Sequence, residues 1–569
     1  PSQDWNGTDT FTYKANDGNV DSNVATVTIT VNAVNDAPTT SDISISTNED
    51  NAVSITLVGT DIENDNLAFF IEQQPSSGTV TIDGNSALYT PSQDWNGTDT
   101  FTYKANDGTN NSNTSTVSIT VIAINDAPII TDINLEVLTR TSVDITLSGS
   151  DAENDNLTYS IVQQPSSGSI TIQDNIVTYT SATFAGQDNF TFLANDGTLD
   201  SNNASVNITI NWNNITFGVD AYNHGFSIQE ISDGGIILAG RTNLDGYLVK
   251  TDASGNKEWE NTYGGSQSDI IYSAKETVDG GFILAGSSMS FGNGQNDMYL
   301  VKTDESGNKE WENTYTTSGN WTEVAYSIDI TSDGGYIFVG SYNKTGDIYL
   351  VKTDASGNRE WDKTYGEGGS NYEVAFSVKT TLDDGFILAG HTNAFSGSKD
   401  IYLVKTDSEG NKEWSKHFST PLDEDAYSLE LTSDGGYIIF GTTENHGAMS
   451  LDFYLLKTDS LGNKEWEQTF GGSGDEVGKS VKQTTDGGFI LSGFTNSFGS
   501  GNSDFYVVKT DASGNKEWEQ TFGGLNNDYG WSVDEASDGG FVIGGVEWSF
   551  NSTVQMFMVK TDSQGNRIF

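Results

Sequence analysis

Two short stretches carry the residue types best suited to chemistry in this chain: Asp61-Ile62-Glu63-Asn64-Asp65 and Asp151-Ala152-Glu153-Asn154-Asp155. Each places three carboxylates at i, i+2 and i+4 on one loop. Calcium takes about six to eight hard oxygens, mostly carboxylates and carbonyls, so such a loop offers several ligands at once. The competing explanation is local, because Asp and Asn also populate turns by bonding their own backbone. Other chemistry finds little footing. There is no cysteine, hence no disulfide and no thiol chemistry. The four histidines, His224, His391, His417 and His446, are scattered without the i, i+4 pairing of a zinc site. Nucleophile-elbow and phosphate-loop motifs are absent. Carboxylates are so abundant that no pair stands out as a glycosidase acid and base. No residue is assigned a catalytic role, and binding is favoured over catalysis.

The elements that must hold these loops repeat. Residues 1–18 recur unchanged at 91–108, which implies that the chain opens part-way through a repeat and belongs to something longer. The segments Thr26-Val27-Thr28-Ile29-Thr30-Val31, Thr116-Val117-Ser118-Ile119-Thr120-Val121 and Ser205-Val206-Asn207-Ile208-Thr209-Ile210 alternate polar and apolar residues, as half-buried strands do. Strands of this length and spacing predict β-sandwiches. The expected boundaries are a partial repeat at 1–38 and full repeats at 39–128 and 129–211.

Asn35-Asp36-Ala37-Pro38 and Asn125-Asp126-Ala127-Pro128 resemble the linker of cadherin-type repeats. The two acidic loops resemble that family's calcium-binding Asp-x-Asp element, with Glu in the second acidic place. Ala105-Asn106-Asp107-Gly108 and Ala194-Asn195-Asp196-Gly197 resemble another ligand segment, and Glu49 resembles the acidic residue near the start of each repeat. The closest likeness is to the tandem cadherin-like repeats of bacterial surface proteins. It implies one calcium site from Asn35, Asp36, Asp61, Glu63 and Asp107, and a second from Asn125, Asp126, Asp151, Glu153 and Asp196, joined by Glu49. The third repeat departs from the pattern: Leu138-Thr139-Arg140 stands where Asn48-Glu49-Asp50 stood, and no Asn-Asp-Ala-Pro follows Ile210.

The second half is organised around Lys-Thr-Asp, which starts at Lys250, Lys302, Lys352, Lys405, Lys457, Lys509 and Lys560, at spacings of 50 to 53 residues. An apolar run precedes each copy, and Asp-x-x-Gly-Asn then turns into a returning strand, Lys-Glu-Trp-Glu-Asn-Thr-Tyr, as in Tyr299 to Tyr315. A second hairpin with an Asp-Gly-Gly or similar turn precedes it. Two hairpins make one four-stranded sheet, and seven such sheets around an axis make a seven-bladed β-propeller over 212–569. Trp212 to Gly218 matches the outer strand of a blade and is expected to complete the last one. The Asp-x-x-Gly-Asn-x-x-Trp pattern resembles the tryptophan-docking repeat of quinoprotein propellers, which commonly have one more blade. It implies that Trp259, Trp311, Trp361, Trp414, Trp466 and Trp518 dock between blades.

Ligand contact is expected on the variable loops opposite the uniform turns: 288–297, 342–347, 392–400 and 442–452, with 316–323, 366–373 and 419–425. Trp321, Tyr372, Tyr529 and Trp548 lie there and could stack on sugars or meet a protein. The residue four before the recurring serine of each first strand is acidic in six blades: Asp269, Glu323, Glu373, Glu424, Glu476 and Asp528, with Asn223 in the first. Spacing alone predicts that these ring the mouth of the central channel.

The net charge of −54 repels nucleic acid and anionic membranes, and residues 1–211 hold only Lys14, Lys104 and Arg140 as basic residues. No apolar run reaches the ~20 residues of a membrane span. The expectation is an all-β, extracellular or cell-surface bacterial protein. Calcium-binding cadherin-like repeats form a stalk for a propeller that binds a protein or glycan ligand in cell adhesion. The alternative is a carbohydrate-active secreted enzyme with the propeller as substrate platform.

Overall fold

The computed structural model describes residues 1–182, 185–212, 214–218, 221–293, 295–317, 321–342, 346–367, 372–395, 397–420, 422–444, 450–548 and 553–569. His446 and parts of every variable loop named above lie outside these. The chain is all-β, and no helix of the described residues is long and apolar enough to cross a membrane. It divides into two units. One comprises residues 1–137, 142–181 and 187–209, and the other 138–141, 182–186 and 210–569.

In the first unit the polar–apolar alternation becomes sandwich cores. Strand Gly97–Asn106 turns Phe101, Tyr103 and Ala105 inward, and Ser115–Ile122 turns Val117, Ile119 and Val121 inward. The two pair antiparallel, Ile43–Asn48 adds in parallel to the second, and Ala68–Gln73 completes the four-stranded sheet. A three-stranded sheet of Val53–Thr56, Ser86–Pro91 and Gly78–Asp83 faces it with Ile55, Val80 and Tyr89. Burial of each such side chain contributes about 1.5–3 kcal/mol. The third repeat copies this around Phe190, Phe192, Tyr179 and Ile208, all fully buried. The partial first repeat keeps one hairpin, Gly7–Tyr13 with Ala25–Val31. A buried carboxylate staples the two sheets: Asp188 accepts from Tyr179 Oη at 2.9 Å and from the Ser166 and Gly168 amides at 2.8 Å. Burial pushes its pKa up, but the Gly168, Ser166 and Tyr179 bonds outweigh that and hold it at about 2.

The second unit is a closed ring of seven four-stranded antiparallel sheets. Each is a meander, exemplified by Asp269–Glu276, Phe282–Ser288, Asp297–Thr303 and Lys309–Tyr315. Middle strands are apolar on both faces, so each blade is covered by its two neighbours. Between the second and third blades Ile283, Ala285 and Leu300 meet Ala325, Ile328 and Phe338. The ring closes the same way, with Val542, Met556 and Met558 of the last blade against Ile228, Leu238 and Val249 of the first. Serines near the axis latch one blade to the next. Ser227 Oγ accepts the Ala274 amide at 3.2 Å, and Ser532 Oγ accepts the Ile228 amide at 3.1 Å across the closure.

Two repeated devices fix each blade. The lysine of Lys-Thr-Asp is buried and straps both hairpins together: Lys302 Nζ reaches Asp279 at 2.9 Å, Glu310 at 3.2 Å and the Thr303 carbonyl at 2.8 Å. The tryptophan docks on the turn of the following blade. Gly307 has φ +75°, and a Cβ there would lie 2.6 Å from the Trp259 ring, so only glycine serves. At the equivalent Gly255 the neighbours are Ile215 and Phe569. Both chain segments thus supply the missing docking partner, and Ile215–Phe217 pairs with Met558, Phe557 and Met556 as the outer strand of the last blade. Phe217 is buried in the closure core. Phe217→Ala should therefore lower the stability of the ring by about 3 kcal/mol, through the lost side chain and the cavity left behind. Denaturant unfolding of the full chain followed by tryptophan fluorescence measures it, and an unshifted midpoint would show that the strand does not hold the ring shut.

Candidate metal centres

The acidic loops owe their shape to their own residues. Asp61 Oδ1 accepts the Glu63 amide at 3.0 Å and the Asp65 amide at 3.1 Å, and Asn64 between them takes φ 63°. Asp151 does the same for Glu153 and Asp155 at 3.1 and 2.9 Å. This is the turn chemistry anticipated as the local explanation, yet it engages only one oxygen of each aspartate. The other, Oδ2 of Asp61 and of Asp151, is buried without a partner among the described residues.

The linkers bring the remaining candidates to these loops. Asn35 Nδ2 donates to Asp107 Oδ2 at 2.8 Å, and the Asp36 amide approaches Glu63 Oε2 at 3.4 Å. One repeat later Asn125 Nδ2 donates to Asp196 Oδ2 at 2.8 Å, and the Asp126 amide to Glu153 Oε2 at 3.2 Å. The free face of each Asp-Gly turn is tied down as well, Asp107 Oδ1 accepting the Thr109 and Asn110 amides at 2.6 and 2.7 Å. The Asn110 amide first, then the Asn35 bond and the Thr109 amide, hold Asp107 below the usual carboxylate range. Asp196 is held low in the same way by the Leu199 amide and Asn125.

At the second linker the preceding repeat contributes too. Glu49 is 3% exposed, its Oε1 accepting the Ile124 amide at 2.5 Å and its Oε2 left without a partner. Oxygens of Glu49, Asp126 and Glu153 lie within 4.8 Å of one another, and so do oxygens of Asp50, Asp94 and Asp126. Asp126 Oδ2 is also buried and has no hydrogen-bond partner among the described residues. Its pKa is raised, first by burial and then by Glu153, Asp94, Glu49 and Asp50. Hard oxygen donors, left without hydrogen bonds and gathered against mutual repulsion, fit a divalent cation such as calcium. Asp94 was missed in the sequence, although the signal was present: it lies in the unchanged repeat of residues 1–18. In the third repeat Thr139 and Arg140 occupy the positions of Glu49 and Asp50, Arg140 keeping the same φ, 60° against 56°.

The acidic residues of the ring do not gather at the axis. Asp269, Glu323, Glu373, Glu424, Glu476 and Asp528 are at most 1% exposed and none lines the axial cavity. They bond the connection arriving from the preceding blade or the second strand of their own: Glu323 accepts Thr317 Oγ1 at 2.6 Å, Glu424 accepts the Thr420 amide at 3.0 Å, and Glu373 accepts Thr392 Oγ1 at 2.9 Å. The cause is a β-bulge in every first strand, as between Ala325 and Ser327. One extra residue reverses the pleat, so the serine faces the axis while the carboxylate four residues before it does not. Of the loop aromatics, Trp321 and Tyr372 are exposed at 39% and 45%. Tyr529 packs edge-on against Phe494, and Trp548 against Tyr222.

Comparison with known families matches residues 35–120 and 125–209 to the Bacterial Ig domain. No curated protein sequence matches the chain. Among solved structures, mouse cadherin-23 EC22-24 is 18% identical over 36% of this chain and 74% of that one, with a TM-score of 0.25. The WD40 domain of Neurospora crassa Pan2 is 11% identical over 61% of this chain and 99% of its own, with a TM-score of 0.40. An endo-fucoidan hydrolase of glycoside hydrolase family 107 is 20% identical over 37% of this chain, with a TM-score of 0.17, and the match spans 34% of the hydrolase.

A carboxyl whose folded pKa is raised binds more protons folded than unfolded, so its contribution to stability falls as pH climbs from the unfolded value, ~3.9, through the folded one. In chelator at neutral pH, Asp126→Asn should therefore raise the melting temperature of the repeats, and at about pH 3 it should change nothing, both states being protonated. Calorimetry of the full chain at the two pH values checks it, and a lower melt in chelator would show the carboxylate to be unstressed.

Proposed function

We propose that the chain is part of an extracellular, calcium-binding bacterial surface protein. In this reading the tandem repeats bind calcium at their linkers and the seven-bladed ring binds a partner. The observation that carries it is that, among the described residues of the repeats, the buried carboxylate oxygens without a hydrogen-bond partner, on Glu49, Asp61, Asp126 and Asp151, all fall within the two linker clusters. Burying an ionised oxygen without a partner is costly, and a cation is the one neighbour that would satisfy all of them together. Asp61, Glu63, Asp107, Asn35 and Asp36 would hold one centre. Asp151, Glu153, Asp196, Asn125, Asp126 and Glu49 would hold the next, with Asp50 and Asp94 beside it. Calcium there supplies positive charge and a rigid joint, with no catalytic step. The surface location is supported by the likeness of residues 35–120 and 125–209 to the Bacterial Ig domain, and a charge of −54 suits a solvated exterior.

Calcium bound only by the folded state stabilises by mass action, about 2.7 kcal/mol per site at a hundredfold excess over Kd. Calcium should raise the calorimetric melt of the repeats in the full chain, and chelator should reverse it. Asp126→Asn, stabilising in chelator, should forfeit most of the calcium increment at the second centre, so the variant changes sign relative to the parent. Equal melts in calcium and in chelator would overturn the assignment.

A further inference from the structure

The bulge that turns the carboxylates away from the axis puts another residue there. The inserted residues of the seven first strands stand at one level around an axial cavity of about 180 Å³. Six are aromatic and touch in sequence. Ring centroids are 5.2 Å apart for Phe226 and Tyr272, 5.4 Å for Tyr272 and Tyr326, 5.0 Å for Tyr326 and Phe376, 5.1 Å for Phe376 and Tyr427, and 5.3 Å for Phe226 and Trp531. The seventh is Lys479, whose Nζ fills the gap 3.7 Å from the Tyr427 centroid and 4.9 Å from that of Trp531.

This ammonium differs from the other lysines of the cavity. Three residues further along the strands Lys275, Lys379 and Lys482 alternate with Asp329, Glu430 and Asp534. Lys275 meets Asp329 at 2.6 Å, Lys482 meets Asp534 at 3.3 Å, and Lys379 pairs with Glu430. That layer is neutral and self-satisfied. Lys479 has no ion pair or hydrogen bond among the described residues. Asp425, the acid that acts on it, pairs instead with Lys399 Nζ at 3.2 Å, its other oxygen lying 2.5 Å from His391 Nδ1. Desolvation pulls Lys479 down to about 8, against the opposing pull of Asp425. Trp531 of the same collar offers a second donor, Nε1, buried and without a hydrogen-bond partner among the described residues. Two donors without hydrogen-bond partners among the described residues, one carrying a single charge, beside a collar of aromatic rings in a cavity otherwise lined by serines and the charged layer call for an acceptor with one negative charge.

We propose that the axial cavity binds a small organic carboxylate, with Lys479 as counter-ion, Trp531 Nε1 as second donor and the aromatic collar as the surface it packs on. The reading stands on the ring alone and does not depend on the linker clusters. Benzoate and D-glucuronate are titrated into the full chain by calorimetry, with benzyl alcohol as the uncharged match to benzoate. At least one acid should bind, whichever does distinguishing an aromatic from a sugar acid, and benzyl alcohol should not. Lys479→Met should weaken binding at least about tenfold, the order of one charge-assisted hydrogen bond. Lys479→Arg should retain most of it, and Trp531→Phe should weaken it less than Lys479→Met does. Should Lys479→Met fail to fold, acetylation of the native protein decides: bound acid should slow modification of Lys479, read by peptide mass spectrometry, and leave that of exposed Lys257 unchanged. No heat from either acid at about 10 mM, undiminished binding by folded Lys479→Met, or acetylation indifferent to the acid would each overturn the proposal.

Discussion

A sheet of four short strands with apolar side chains on both faces is not stable alone, and this constraint organises two thirds of the chain. Each blade buries one face on the blade before it and the other on the blade after, so no member of the series is complete until the series closes. Closure in turn requires the seventh sheet to be assembled from both ends of the segment. Ile215–Phe217 supplies the outer strand, and Phe569 stands with Ile215 where every other interface has a tryptophan. The strapping lysines, the axial serines and the Trp–Gly docks are seven-fold or nearly so because every interface faces the same problem.

Charge is the opposing constraint. The ring pairs many of its carboxylates with lysine, caps loops with others or buries them against hydroxyls, and leaves single oxygens of Asp297, Glu373 and Asp425 without a hydrogen bond among the described residues. The repeats leave theirs gathered and partly unsatisfied around Asp126 and its neighbours. What sets the repeats apart is the gathering: oxygens of Glu49, Asp126 and Glu153, and of Asp50, Asp94 and Asp126, stand within 4.8 Å of one another, where an external cation would complete them. The axial collar is the mirror image, an orphaned donor where an external acceptor would.

Much of this was legible in the residues. A motif recurring every 50 to 53 residues dictated a four-stranded unit and its number, since an apolar run, a Gly-containing turn and a returning strand admit few other local structures. Alternation in Thr116 to Val121 gave the inward set of the sandwich, and the pairing of the linker asparagines with Asp107 and Asp196 follows the segments that were singled out. Asp94 escaped because the exact repeat of residues 1–18 marks its segment but not its partners, Asp50 and Asp126, which are distant in sequence.

Sequence by itself determined the local units, the turns, the repeat count and the loops rich in hard oxygens, because these depend on near neighbours and on periodicities of two. Tertiary structure decided which way the functional side chains face. A single inserted residue in each first strand reverses the pleat, turning six carboxylates into the blades and a collar of six aromatics and Lys479 toward the axis. Whether a strand carries that bulge depends on its pairing with the next strand and on the close approach of seven blades at one axis, which no stretch of one strand encodes.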